Sequence, residues 1–192
     1  MPTLNTLVTI GSVVAGDNVA VVLGNSTQVT KQQDGSFLIT LRLSESMTDE
    51  DLALVDGYLD HECSHVRFTN FDVFKNVKNN NQHEMTNLIE DIRIEKLIGL
   101  KYPGAAINLN RMVCVLCRDE SFWSFSKSND SLLSLVSKFA LYLGRSAFLK
   151  QKAMSSRAQS SAEILLKRVG PGRFNQFKQI VSDIGFTKST KE

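Results

Sequence analysis

Two of the three histidines in the sequence flank a glutamate in the segment His61-Glu62-Cys63-Ser64-His65. On a helix, residues four positions apart lie on the same face, so His61 and His65 could bind one metal ion. An HExxH segment on a helix is typical of zinc hydrolases, in which the glutamate activates the zinc-bound water. The spacing therefore predicts a Zn²⁺ site with His61 and His65 as ligands and Glu62 as the catalytic base.

A catalytic zinc site needs a third protein ligand, and residues 87–95 (NLIEDIRIE) offer candidates. Glu90 and Asp91 are adjacent carboxylates between apolar residues, costly to bury unless they are paired or metal-bound. We predict Glu90 as the ligand, following the glutamate precedent in two-histidine zinc hydrolases, and Asp91 as acceptor for a ligand imidazole. Arg93 and Glu95 are interpreted as supporting ion pairs. In the alternative, Asp91 is the ligand and Glu95 supports it. Without the HExxH segment, residues 87–95 would be interpreted as an ordinary helical charge cluster; beside it, the zinc interpretation is favoured.

The helix that carries the two histidines is predicted from its cap and its periodicity. Thr48, followed by three acidic residues, is typical of a helix N-terminus. Two apolar faces follow at three- and four-residue steps, which predicts an interior helix. Gly57 within it predicts close packing, since glycine costs about 1 kcal/mol relative to alanine in a helix. The faces comprise Leu52, Val55, Leu59, Cys63 and Val66 on one side, and Leu54, Tyr58, His61 and His65 on the other.

A second helix is predicted from Glu84 to Ile98, with Gly99 as its C-terminal stop. Residues 71–83 are polar and turn-rich, which predicts a mobile loop between the two helices. Such a loop is long enough for the second helix to return antiparallel to the first. The carboxylates of the second helix could then reach the two histidines.

A small sheet is predicted near the N-terminus. Residues 29–32 and 36–43 flank Asp34-Gly35, a hairpin turn, and the second strand is an edge strand that could bind an extended peptide. Residues 7–15 and 19–23 are β-branched and are interpreted as strands or buried segments. These features predict an α+β fold, mainly helical with a small N-terminal β-sheet.

The rest of the chain is predicted to be helical apart from an aromatic stretch around Trp123. The segment 108–117 fits either a helix or a strand, and Asp130 begins a buried helix. A capping box at Ser160 opens another helix, which Gly170-Pro171-Gly172 ends before a final one. Cys114-Val115-Leu116-Cys117 is interpreted as a pair of buried small residues. The whole is predicted to be a single domain, with the sheet in 1–47, the metal-site helices in 48–100 and a helical remainder in 105–192.

Composition points to a soluble, cytoplasmic protein. The chain is 42% hydrophobic and 22% charged, and no apolar run reaches the roughly 20 residues that a membrane span needs. The N-terminus has no basic region of the kind that begins a signal peptide, and three cysteines fit a reducing compartment. Residues 1–60 carry two basic and eight acidic side chains, whereas residues 141–192 carry ten basic and three acidic ones. The basic C-terminal third is interpreted as a solvated helical face or a junction to another domain, with nucleic-acid binding as the alternative.

Three blocks of sequence resemble a known family. They are residues 60–71 (DHECSHVRFTNF), 87–95 (NLIEDIRIE) and 102–105 (YPGA). In this order they look like the N-terminal region of CobT-type cobaltochelatase subunits, and of their phage and bacterial metallopeptidase-like relatives. The resemblance covers roughly residues 30–110 and is more specific than HExxH alone.

The resemblance implies a zincin-like fold in which His61, Glu62, His65 and Glu90 match the family's site. In that family the zincin-like domain precedes an acidic linker and a von Willebrand A domain, and it works with a MoxR-type AAA+ ATPase. This sequence contains neither the linker nor an Asp-x-Ser-x-Ser stretch. Two functions follow as expectations for a bacterial or phage-infected cell. One is a gluzincin-like metallopeptidase acting on a peptide or protein substrate; the other is a non-catalytic zinc-binding adaptor for an AAA+ ATPase.

Overall fold

The structure, a computed structural model, describes residues 4–16, 18–42, 48–120, 122–187 and 189. Within these residues the protein is α+β and mainly helical, with a small three-stranded sheet. The N-terminal elements are α1 (Leu4–Ala15), β1 (Val19–Gly24), β2 (Gln28–Lys31), β3 (Phe37–Arg42) and α2 (Asp49–Phe68). The later elements are α3 (Phe71–Phe74), α4 (Asn80–Lys101), α5 (Pro103–Leu116), α6 (Leu132–Phe148) and α7 (Ser155–Ile184).

The chain forms two compact units. The first unit comprises Met1–Thr69 and Leu97–Val115, and the second comprises Asn70–Lys96 and Leu116–Glu192. Helix α4 contributes residues to both units. None of the helices in the described part of the chain combines the length and the apolar character needed to cross a membrane.

The first unit is organised around the sheet and α2. Strand β3 lies in the centre, parallel to β1 and antiparallel to β2. The hairpin of β2 and β3 turns at Gly35, whose φ of 86° suits glycine. The buried core joins α1, the sheet and one face of α2: Leu7, Ala15, Val19, Val21, Ile39, Leu41, Val55, Leu59, Cys63 and Val66.

Helix α2 begins as predicted. The Thr48 hydroxyl accepts a hydrogen bond from the Asp51 amide, and the Asp51 carboxylate accepts one from the Thr48 amide, which completes a capping box. The predicted close packing at Gly57 is confirmed, because a Cβ there would lie 2.4 Å from the Cβ of Met112 on α5. Both features lie within the first unit.

The second unit is a helical core built on α6 and α7. Its buried residues are Leu135, Phe139, Ala140, Leu165 and Val181. Gly144 on α6 packs against Ile92 of α4, where a Cβ would lie 2.6 Å from the Ile92 Cδ1. At Gly170 the backbone of α7 leaves helical geometry (φ 77°, ψ 167°), so the predicted break at Gly170-Pro171-Gly172 is a kink between two helical segments.

Several predicted elements differ in the structure. Residues 7–15 are helical, since Leu7, Gly11 and Ala15 are buried at four-residue steps on one face. The strand predicted for 36–43 is β3, although Leu43 lies outside the described residues, and the prediction of an edge strand is wrong because β3 is central. The undecided segment 108–117 is mostly helical, in α5.

The boundaries around the second metal-site helix also differ. Helix α4 starts at Asn80 rather than Glu84, and the preceding residues include the short α3. Gly99 does not end α4; it lies inside the helix, where a Cβ would be 3.1 Å from the Cβ of Ala106. The capping box predicted at Ser160 is wrong, because α7 begins at Ser155 and the Ser161 hydroxyl donates back to the Arg157 carbonyl.

Candidate metal centre

His61 and His65 lie on α2, one turn apart. Their ring centroids are 4.9 Å apart and the rings are nearly perpendicular, with an interplanar angle of 85°. His65 is 8% exposed and His61 is half-buried. Helix α2 therefore brings the two imidazoles next to each other.

Glu62 lies between the histidines and is 7% exposed. Burial first, and then the negative charge of Glu62, raise the pKa of Tyr58, which lies one turn earlier on α2. The Tyr58 phenol is therefore neutral at physiological pH and close to the Glu62 carboxylate. These two side chains supply a proton acceptor and a hydrogen-bond donor beside the histidine pair.

Burial also raises the pKa of two other groups on α2, the Asp60 carboxyl and the Cys63 thiol. Burial raises the pKa of Asp60 to about 6, with a smaller contribution from the Asp56 charge, although the Asn108 amide donates a hydrogen bond of 2.9 Å to its carboxyl. Burial and the neighbouring carboxylates raise the pKa of Cys63 to about 12, so its thiol is neutral and belongs to the core.

One group of side chains in the described part of the chain has the spacing of a metal site. It comprises His61, His65 and Asp91, each offering one ligand atom, and these atoms all lie within 4.8 Å of one another. Ligand atoms that share a tetrahedral zinc ion at about 2.0–2.1 Å lie about 3.3 Å apart.

Glu90 forms a buried ion pair with Arg93. Arg93 donates from Nη2 to Oε1 at 2.7 Å and from Nε to Oε2 at 2.8 Å, and both side chains are buried. The group above contains Asp91, the alternative ligand of the sequence interpretation, and not Glu90. Asp91 also accepts a hydrogen bond of 3.3 Å from Asn87.

The other two predicted supporting residues have distinct partners. Arg93 pairs with Glu90, as described above. Glu95 pairs with Arg145 of α6 through two hydrogen bonds of 2.8 Å, and both side chains are buried. Gln151 donates a further, longer hydrogen bond to Glu95. The Glu95–Arg145 pair thus joins α4 to α6 within the second unit.

Thr69 is a functional candidate that the sequence interpretation missed. Its hydroxyl lies 2.9 Å from Nδ1 of His65, and its amide donates to the His65 carbonyl at 3.0 Å. The sequence signal is a hydroxyl residue four positions after the second histidine, at the end of the helix.

The remaining histidine and the CxxC pair lie outside this group. His83 is exposed and packs edge-on against Phe74. Cys114 is exposed, so the prediction of a buried pair is wrong for this residue; Cys117 is half-buried near Met154. The difference follows from α5, whose outward face carries Cys114.

Comparisons with known proteins assign no family or function. No protein-family model, curated protein or solved structure matches the chain.

Proposed function

We propose that the protein is a zinc-dependent hydrolase of the peptidase type, with a zincin-like site on α2 and α4. The observation that carries the proposal is the group of His61, His65 and Asp91 beside the buried Glu62. In this proposal the two imidazoles and the Asp91 carboxylate hold the ion. Glu62 accepts the proton of the attacking water.

The donor set fits a first-row divalent ion. Two imidazoles and one carboxylate are found both in zinc hydrolases and in non-haem iron(II) oxygenases. Glu62 favours zinc, because a glutamate directly after the first histidine is the general base of HExxH hydrolases. When bound, zinc polarises a carbonyl group and lowers the pKa of a water molecule towards 7 or so.

We choose Asp91 over Glu90 as the third ligand because Arg93 already pairs with Glu90. Arg93 occupies both carboxylate oxygens of Glu90 at hydrogen-bonding distance. Moving Glu90 to a metal would leave the buried Arg93 cation without that pair, at a cost of several kcal/mol. Asp91, rather than Glu90, belongs to the group whose ligand atoms all lie within 4.8 Å of one another.

Tyr58 is the better of two candidates for stabilising the oxyanion that forms on the substrate carbonyl. Its pKa is raised by burial and by Glu62, so the phenol keeps its proton and can donate a hydrogen bond. Arg93, the other candidate, is buried and holds Glu90. Tyr58→Phe would therefore lower the turnover rate more than the affinity for substrate.

A peptide substrate would add to an edge of the sheet. Main-chain pairing with an exposed strand is a common way to hold an extended peptide. Within the described sheet the edges are β1 and β2, rather than β3 as the sequence suggested. Strand β1 exposes Val22 and Leu23, which would contact apolar substrate side chains.

The first experiment measures the metal. The purified protein is loaded with zinc, iron(II) or manganese(II), desalted and analysed for metal content, alongside His65→Ala and His83→Ala. We expect one zinc per wild-type chain, loss in His65→Ala and retention in His83→Ala, because His83 is exposed and outside the group. Equal metal content in all three proteins would exclude the site.

The second experiment measures cleavage of a peptide library by the zinc-loaded protein. Glu62→Gln should keep zinc and lose about 100-fold or more of the turnover rate, since it removes the general base. The matched control is Glu84→Gln, which changes an exposed glutamate. Undiminished cleavage by Glu62→Gln would contradict the mechanism.

A non-catalytic adaptor for an AAA+ ATPase is the second candidate function. It is favoured by apolar side chains at the surface of the first unit, where Val13 is 63% exposed and Leu100 is 74% exposed. Tyr102 donates to the Val13 carbonyl, which places the end of α1 beside the end of α4. The adaptor role predicts zinc binding without cleavage, and loss of ATPase binding on Leu100→Asp.

A further inference from the structure

A pocket opens in the second unit between α6 and the two segments of α7, residues 155–169 and 171–184, which the kink at Gly170 separates. Its volume is about 230 Å³, and five of its seven lining residues are apolar. All seven lie within the second unit, and none of them belongs to the proposed metal centre. The pocket is therefore a second candidate binding site.

The space in the pocket is left by two short side chains. Ala158 and Ala162 lie four residues apart, so they share one face of the first segment of α7. An alanine side chain ends at Cβ and leaves space that a leucine would fill. The walls include Phe139 of α6 and Phe174 of the second segment, whose ring centroids are 5.4 Å apart at an interplanar angle of 50°. These two rings give the pocket an aromatic wall that suits an apolar molecule.

The two polar lining residues, Gln159 and Lys178, are exposed and mark the mouth of the pocket. A lysine beside apolar surface buries its carbon chain there and keeps its ammonium group in water. No carboxylate among the described residues forms an ion pair with Lys178. The Gln159 amide donates a hydrogen bond of 3.0 Å to Glu163, which does not line the pocket. Lys178 therefore supplies the charge of the pocket lining, and that charge is positive.

We propose that this pocket binds a small carboxylic acid whose apolar body is about the size of one aromatic ring. The volume sets that size, because an apolar cavity of about 150 Å³ takes up benzene, whereas drug-sized ligands occupy about 300–1,000 Å³. The apolar body packs against Phe139 and Phe174, and the carboxylate pairs with the Lys178 ammonium at the mouth. A neutral molecule of the same shape lacks that ion pair.

The first test uses the wild-type chain and three compounds of similar shape: phenylpropanoate, its neutral amide and the cation phenylpropylammonium. Each is titrated into ¹⁵N-labelled protein without added metal, and the backbone amide signals are followed by NMR. We expect the acid to shift the signals of Ala158, Ala162 and Phe174. It should bind about two- to fivefold more tightly than the amide, in the range of an exposed ion pair. The cation should bind more weakly than the amide.

The second test uses two pairs of variants. Ala162→Leu fills the pocket and should weaken the binding of both acid and amide about tenfold or more. Its control is Ala147→Leu, at an exposed position of α6 that does not line the pocket, and binding should stay unchanged. Lys178→Gln should lower the affinity for the acid to that for the amide. Its control is Lys167→Gln, which removes an exposed charge of α7 outside the pocket.

Three results would overturn the proposal. One is that no compound shifts the signals of Ala158, Ala162 and Phe174 in the wild type, and another is equal affinity for acid and amide. Neither depends on how a variant folds. The third is wild-type affinity in an Ala162→Leu protein whose folding is confirmed by its amide spectrum. None of these measurements involves zinc, so they test the pocket separately from the proposed hydrolase.

Discussion

The sharpest prediction concerns Glu90 and Asp91, adjacent carboxylates on α4 with opposite expected roles. Glu90 is 3% exposed and holds Arg93 through two hydrogen bonds of 2.7 and 2.8 Å. Glu90→Gln keeps the size of the side chain but leaves the buried cation without its counter-charge. Breaking a buried pair in this way costs about 3–5 kcal/mol, and the remaining amide oxygen places the expected loss near 3 kcal/mol.

That loss is a large fraction of the 5–15 kcal/mol or so by which a typical domain is stable. It would be measured as a lower urea midpoint of the metal-free protein. Zinc content should stay at one per folded chain, since Glu90 is not among the three grouped side chains. Asp91→Asn should instead lower the zinc affinity, by more than the roughly 10–100-fold of a supporting group.

Asp72→Asn is the control for loss of charge alone. Asp72 pairs with Lys75 at 2.7 Å, but the two side chains are 72% and 75% exposed. An exposed pair of this kind contributes about 0–1 kcal/mol. If Glu90→Gln instead lost zinc and kept its urea midpoint, Glu90 would be the ligand and the assignment to Asp91 would be wrong.

Two further predictions test how the helices around the site are held. Glu95→Gln should lower the free energy of unfolding by about 3–5 kcal/mol, because the Arg145 side chain is 4% exposed and loses its counter-charge. A loss in urea denaturation as small as that of Asp72→Asn would contradict this prediction. Gly57→Ala should cost about 1–3 kcal/mol through overpacking, since its Cβ would lie 2.4 Å from a methionine Cβ of α5. Gly104→Ala, where a Cβ has nothing within 4 Å, should be neutral or stabilising, and thermal unfolding of both variants decides the comparison.

The parts of the fold that the sequence predicted are those specified by local chemistry. The Thr48 cap and the apolar steps of α2 depend on neighbours within one or two turns, and both are confirmed. The Asp34-Gly35 turn likewise predicts the hairpin of β2 and β3. The relation of the two histidines follows from helix geometry alone. These signals need no knowledge of distant residues.

Helix α1 shows why a strong local propensity can mislead. Its β-branched residues favour a strand, but β-propensity reflects the packing of the surroundings as much as the backbone. Leu7, Gly11 and Ala15 are four residues apart, and all three are buried. That helical period was present in the sequence. The packing of α1 against the sheet and α2 buries this face and so favours the helix over a strand.

The sequence could not decide between Glu90 and Asp91 as the proposed third ligand because one residue step on a helix is a rotation of about 100°. The two carboxylates therefore start from different faces of α4, and the group with the two histidines contains Asp91. A sequence signal did exist. Arg93 follows Glu90 by three residues, a spacing at which oppositely charged side chains meet on a helix. That pair engages Glu90 and supports the proposed choice of Asp91.

The packing of α2 sets the position of the histidine pair within the first unit. Cys63, between the histidines in sequence, is fully buried in the core, and Asp60 is held by Asn108. Arg67, after His65, donates to the Val14 carbonyl at the end of α1. These contacts are all made within the first unit. A helix fixed in this way can keep ligands in place while an ion's remaining coordination position takes water or substrate, as a catalytic zinc site requires.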